Sequence, residues 1–213
     1  MTKICNCPQA AALANVPISD CPEDFGQIQK IIFQRIYSSG TTKNKFTIAS
    51  ANPNVLASWT SLLAAEDGTK VVQSPFISSP ENEAGAKREF GGGNQTLNGI
   101  PIPVGQEPGT INAIIYQASQ DTIEALKGYQ CENVGVFFVD EYGRIAGIVD
   151  DKEAPTEFYP IPIESLFIGD KKFGGIEEPD SNALEFYQPP NWSDKFEIVV
   201  PTDFDALNDL ATP

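Results

Sequence analysis

The chain has 213 residues, 41% of them hydrophobic, with 14 Lys and Arg against 29 Asp and Glu and a formal net charge of -15. That apolar share suffices for a core of ordinary size, which argues against a wholly disordered chain, and the length allows one or at most two domains. So acidic a balance disfavours a nucleic-acid-binding surface, which needs clustered cations to displace phosphate counterions.

The charge is unevenly spread. Residues 1–106 hold 8 basic and 8 acidic side chains, and residues 107–213 hold 6 basic and 21 acidic, so the whole excess lies in the second half. A solubilising face accounts for it as well as a functional one does. No apolar run approaches the roughly 18 residues of a membrane span, and the N-terminus lacks the pattern of a secretory signal, so a soluble, unexported chain is expected, with no membrane partner. In a reducing interior Cys5, Cys7, Cys21 and Cys131 would stay thiols. The chain contains no His, which removes the commonest general base and transition-metal ligand.

In chain order, Pro8, Pro17 and Pro22 interrupt residues 1–25, which read as an arm with one short helical stretch, Gln9–Asn15. Residues 27–37 (QIQKIIFQRIY) carry Ile on both parities, the pattern of a strand covered on both faces, and a polar turn follows at Ser38–Lys45. Asn52-Pro53 predicts a helix start, with Asn as cap and Pro in the first turn. Val55, Leu56, Trp59, Leu62 and Leu63 form its core face and Asp67-Gly68 its end. A short strand is expected at Lys70–Gln73.

Residues 78–110 are punctuated by Gly85, Gly91–Gly93, Gly99, Gly105 and Gly109 and by Pro80, Pro101, Pro103 and Pro108. At over 30 residues this is no ordinary connection, typically about 4–6 residues long. It is an extended functional loop or a projecting hairpin, and its Phe90, Ile100, Ile102 and Val104 need a surface to pack on, which a neighbouring subunit could supply.

Asp121-Thr-Ile-Glu124 has capping-box spacing and starts a short helix ending near Gly128. Asn133–Asp140 and Arg144–Asp150 flank Glu141-Tyr142-Gly143 and predict a β-hairpin. Further strands are expected at Phe158–Ile163, with Pro160 and Pro162 placing it at a sheet edge, and at Leu166–Gly169, Ala183–Tyr187 and Lys195–Val200. A loop separates them at Gly174–Asn182, and Asp203-Phe204-Asp205 caps a C-terminal turn. About eight strands and two or three short helices predict an α+β fold, mainly β: an antiparallel sandwich or barrel with helices on its flank and a long projecting loop. The expected organisation is an arm, 1–25, and a single β-rich domain, 26–213.

The chemistry of catalysis and cofactor binding is mostly missing. Gly91-Gly92-Gly93-Asn94 lacks the Lys-Ser/Thr ending of a phosphate loop and the spacing of a dinucleotide turn, so it reads as a turn or backbone contact. Cys5, Cys7 and Cys21 are at most three nearby thiolates where structural zinc needs four ligands. The acidic clusters Asp150-Asp151-Lys152-Glu153 and Asp203/Asp205/Asp209 fit no calcium loop. With no nucleophile–base set, neither enzyme activity, nor a cofactor, nor a metal is expected. Trp59 and Trp192 read first as core residues, Trp192 also as a contact between subunits because it follows Pro189-Pro190-Asn191.

The combination of FQR (33–35), SPFISSPENEAGAKREFGGGNQTLNGIPIPVG (74–105) and YQCENVGVFFVDEYGRIAG (129–147) resembles virion structural proteins of tailed bacteriophages, especially those infecting Bacteroidota. Within that group the size, β-rich core and long loop are similar to tail-tube proteins. The resemblance implies a β-sandwich subunit of stacked, usually hexameric rings, with the loop and terminal arm bridging subunits alongside other virion proteins. It implies localisation in the virion and an acidic lumen through which DNA passes as non-sticking cargo. The subunit interface would then include Phe90, Gly91, Gly92, Gly93, Asn94, Ile100, Ile102, Val104 and Trp192. A capsid-decorating, head–tail connector or baseplate protein, and a host- or carbohydrate-binding β-module, remain open beside it.

Overall fold

The computed structural model describes Val16 and Asp24–Ala211. The Gln9–Asn15 stretch, Cys5, Cys7, Cys21 and nearly all of the 1–25 arm lie outside the described residues. In chain order the strands begin with β1 (Ile28–Arg35), β2 (Tyr37–Ser39), β3 (Thr42–Lys43), β4 (Phe46–Thr47), β5 (Val71–Gln73), β6 (Ser78–Glu83), β7 (Lys87–Phe90) and β8 (Ile102–Gln106). They continue with β9 (Gly109–Tyr116), β10 (Val134–Asp140), β11 (Ile145–Val149), β12 (Glu157–Tyr159), β13 (Ile161–Pro162), β14 (Glu164–Ile168), β15 (Ser181–Gln188) and β16 (Phe196–Val199). Two helices, α1 (Leu56–Leu63) and α2 (Gln120–Gly128), flank them.

The fold is mainly β, a curled antiparallel half-barrel with two helices. An eight-stranded sheet runs β4-β12-β11-β10-β1-β5, with β13 also on β10 and β16 also on β11; a four-stranded sheet runs β14-β15-β9-β6. Alternation along the central strands builds two cores. Ile31, Phe33, Val134, Val136 and Phe138 point toward the four-stranded sheet and meet Ile111, Ile115, Leu184 and Phe186. Ile32, Phe137, Val139 and Ile145 point the other way, onto Trp59 of α1, Phe46, Ala206 and Leu210. Period-2 alternation with both parities apolar is what a sheet in the middle of three layers requires. Every residue of β10 is buried, and the double Ile parity read from β1 has this cause.

Several expected details shift. Asn52 does not cap α1: its Oδ1 accepts the Asn54 N–H at 3.2 Å, forming a turn, and Val55 is the residue before the helix. The helix stops at Leu63, before Asp67-Gly68. Ser119, not Asp121, caps α2, its Oγ accepting the Thr122 N–H at 3.1 Å. The hairpin at 133–150 forms, but Pro160 lies inside the large sheet rather than at an edge: it separates β12, paired with β11 and β4, from β13, paired with β10. The C-terminal turn forms as expected, with Asp205 Oδ1 accepting the Leu207 N–H at 2.9 Å.

Candidate assembly surface

Residues 78–110 resolve into a hairpin. β6 pairs with β9 in the small sheet, and beyond a pinch the same two segments continue as the separate ribbon β7–β8, whose strands, among the described residues, pair only with each other. The pinch is at Gly85, where a Cβ would lie 1.7 Å from the Glu107 carbonyl oxygen. Past it, Glu107 N–H donates to Ala86 O at 2.8 Å. At the ribbon's far end Gly91, Gly92 and Gly93 all have positive φ, the backbone conformation that glycine tolerates, and Gly92 N–H donates to Thr96 Oγ1 at 3.0 Å. Asn94 is exposed there.

Phe90, Ile100 and Val104 are 60%, 63% and 63% exposed, and Ile102 is half-buried. These three leave apolar surface in solvent on a narrow ribbon. Trp192 lies apart from them. It is half-buried against the first core, with its ring edge-on to Phe196 at 5.8 Å. It borders a cleft of about 290 Å³ walled by Phe25, Ile28, Ile111, Phe138 and Phe196.

The small sheet buries one face and leaves the other in solvent. Its register lines up two cross-strand rows on the solvent face, Glu83–Thr110–Tyr187–Glu164 and Glu81–Asn112–Glu185–Phe167. Its four strands contain these four glutamates and no Lys, Arg or Asp. Among the described residues neither β6 nor β14 has a second strand partner, so both lateral edges present unpaired backbone groups. Each edge strand is irregular at a serine of positive φ, Ser79 at 49° and Ser165 at 51°.

Sequence reasoning locates the ribbon and its apolar residues, but not the glutamate rows, because register decides which glutamates share a face. The acidic excess read from the sequence lies in the second half of the chain, whereas Glu81 and Glu83 of this face come from the first. It also misses Phe173 and Ile176, which are 79% and 103% exposed in the turn between β14 and β15. Two apolar residues flanking Gly174-Gly175 are the available signal.

The other clefts are ion-paired or mixed. One of about 350 Å³ is bordered by Arg35, Glu132 and Tyr129. There the Arg35 guanidinium grips Glu132 at 2.5 and 2.7 Å and holds its carboxyl below the usual range, while burial pushes the Tyr129 hydroxyl up. Another, of about 500 Å³, lies between Tyr37, Lys43, Tyr159 and Lys195. Among the described residues no three His, Cys, Asp or Glu side chains gather as a metal-ligand set. Cys131 is exposed. No described helix is long and apolar enough to cross a membrane.

No protein-family model matches the sequence, and no curated protein matches it. Among solved structures the chain is similar to one from the tail of an empty gene transfer agent particle determined with C6 symmetry. Identity is 11% and the TM-score 0.33, over 59% of this chain and 82% of that one.

Proposed function

We propose that this chain is a virion structural protein, a tail-tube-like subunit that joins copies of itself into closed, stacked rings around a conduit for DNA. The small sheet carries the reading: two free edges on opposite sides and a solvent face with glutamates and no cation. Pairing β6 of one copy with β14 of the next is a heterologous contact, and a constant rotation closes such contacts into a ring. The strands of successive subunits would then form one continuous barrel. If the barrel's inside is the glutamate face, the wall repels phosphates and DNA slides without sticking. The ribbon's bare Phe90, Ile100 and Val104 fit a groove on a neighbour, and six copies per ring is the number the tail-tube resemblance brings. Nothing in this role needs a cofactor or an enzymatic step.

One observation favours a second reading. Tyr116, Phe167 and Tyr187 stand 41%, 52% and 36% exposed on the same sheet face, and aromatic side chains beside carboxylates also suit a carbohydrate-binding module.

Electron microscopy of the purified chain across a concentration series, with sizing by light scattering, separates the two. Rings or tubes with a central hole are expected. A monomer at every concentration would overturn the tube reading, and glycan-array binding by that monomer would establish the second.

A further inference from the structure

Two adjoining clefts open at the end of the small sheet from which the ribbon leaves. The smaller, about 240 Å³, is lined by polar groups and by the ribbon's own root at Gly85 and Gln106; the larger, about 290 Å³, is walled by Phe25, Ile111, Phe138 and Phe196. Trp192 and Asn82 border both. The charged residues lining them are Glu81 and Asp194, with no cation. Of the basic side chains next to the lining residues, Lys195 donates to Asp150 O, and Arg144, whose guanidinium lies 5.8 Å from the Phe25 ring, is paired with the buried Asp140 at 2.6 Å.

The ribbon has the opposite character. Residues 86–106 contain three charged side chains, Lys87, Arg88 and Glu89. Lys87 and Glu89 pair at 2.6 Å on one face of β7, so strand alternation puts Arg88 and Phe90 on the other; the irregularity in the ribbon's pairing falls on β8, at Val104. Arg88 is exposed and has no ion-pair partner among the described residues. Phe90 is opposite the half-buried Ile102 and is itself 60% exposed. This face thus carries an uncompensated cation and an aromatic ring two residues apart, and neither is among the residues that line the clefts of its own chain.

We infer that the clefts are a docking site for the ribbon of a second copy of this chain, with Phe90 entering the aromatic cleft beside Trp192 and Arg88 entering the polar one against Asp194 or Glu81. The ribbon brings an excess of one positive charge to a site whose charged groups are carboxylates, and apolar surface to an aromatic wall. The reach agrees. Closing a ring through β6 and β14 sets neighbouring copies four strand spacings apart, about 19 Å at roughly 4.8 Å each. Phe90 lies five residues beyond Gly85, about 17 Å at roughly 3.4 Å per residue. Ribbon and clefts sit at the same end of the sheet, so a ribbon laid sideways spans from one copy to the clefts of the next in the same ring. The contact is heterologous and closes with the ring. It rests on the ring reading above and adds to it the surface that the ribbon occupies.

The test uses the full chain. Arg88→Glu and Phe90→Asp alter exposed side chains, so the melting temperature of the dispersed protein should not move, while the concentration at which rings appear should rise about tenfold or more for each. Asp194→Arg with Glu81→Arg should weaken assembly in the same way, and combining that pair with Arg88→Glu should restore it, a rescue that a merely structural role would not give. In parallel, a benzoylphenylalanine photo-cross-linker at position 90 in assembled rings should join to residues 25–28, 80–82 or 192–196 of another copy. Rings from the Arg88→Glu and Phe90→Asp variants at the wild-type concentration, failure of the charge swap to restore assembly, or cross-links from 90 confined to its own chain or to other parts of a neighbour would overturn the contact while leaving the ring standing. A wild-type chain that never assembles would overturn the ring, and the contact with it.

Discussion

Gly135 and Gly147 lie on the two arms of one hairpin and face the same intruding segment. β10 and β11 pair at Phe138–Ala146 and Val139–Ile145 and then part. The chain 158–162 enters the gap, with Ile161 and Pro162 pairing to β10 and Phe158 and Tyr159 to β11. A Cβ on Gly147 would lie 2.5 Å from Phe158 Cζ and 2.7 Å from Tyr159 O; one on Gly135 would lie 2.9 Å from Pro160 Cβ and 3.0 Å from Ile161 O. These glycines let one sheet branch and curl, the use of glycine expected at bends where another backbone approaches.

The stability of glycine variants should follow this geometry. Gly147→Ala pushes on Phe158, which is fully buried and stacked on Phe137 at 5.3 Å, and overpacking of this kind costs about 1–3 kcal/mol. Gly135→Ala should cost less. Gly128 lies at the exposed end of α2, where an added Cβ would meet no atom within 4 Å. It should behave oppositely, Gly128→Ala stabilising by about 0.5–1 kcal/mol. Urea unfolding of the three variants checks the order, and equal effects at 128 and 147 would refute it.

Helix α1 is held at its start from the far end of the chain. Asp203 Oδ1 accepts the Leu56 N–H at 2.9 Å, and Thr202 N–H donates to Asn54 O at 2.9 Å. Asp203→Ala should therefore cost about 1 kcal/mol, the usual worth of a capping side chain. Asn52→Ala, which removes only a turn contact, should cost less in the same denaturation assay.

This pair also shows what is legible in the sequence. Periodicity identifies α1 from Leu56, Trp59, Leu62 and Leu63, because a buried helical stripe is a local pattern. The cap is not legible in the same way: Asn52-Pro53 is a good local signal, whereas the actual acceptor is 147 residues away. Likewise Pro160 reads as an edge residue until the splayed hairpin supplies a place where its missing N–H is not needed. The glutamate rows depend on the register of four strands that come together from residues 78 to 188, and no local pattern encodes that.

Acid should weaken the fold through a few specific carboxylates. The Thr156 hydroxyl, with the backbone N–H groups of Glu157 and Thr156, holds Asp150 far below the usual carboxylate range. Lys45 and the Tyr159 hydroxyl hold Glu157 low, and Arg35 does the same for Glu132. A depressed folded-state pKa contributes stability that is present above the unfolded value and is lost as pH falls, so the melting temperature should drop below about pH 4. Asp150→Asn should flatten that limb, and an unchanged slope would exclude Asp150 as a contributor. At the alkaline end, burial, the hydrogen bond to Glu157 and the nearby negative charges push Tyr159 up to about 12. Its proton is bound more tightly in the folded chain, so stability should fall as pH rises from about 10.

The glutamate face makes a charge-specific prediction for assembled tubes. Replacing Glu81, Glu83, Glu164 and Glu185 by Gln keeps the size of each side chain and removes four negative charges per subunit. Replacement by Lys reverses them. If this face lines the conduit, the Gln variant should still form tubes but retain added double-stranded DNA better than wild type, and the Lys variant should retain it most, with retention falling as salt rises. DNA retention that is the same in all three proteins would place the face away from the DNA path.

The ribbon offers the sharpest separation of folding from assembly. Among the described residues β7 and β8 pair only with each other, and Phe90, Ile100 and Val104 stand in solvent, so the ribbon contributes little to either core. Replacing residues 86–106 with a short Gly-Ser turn closes the β6–β9 hairpin at the Gly85 pinch and leaves the small-sheet register intact. The truncated chain should melt within a few degrees of wild type, because loop shortening changes closure entropy only slightly, and it should form no rings. Loss of the melting transition would show that the ribbon helps build the subunit, whereas normal rings from a stable truncated chain would show that β6 and β14 suffice for closure without it.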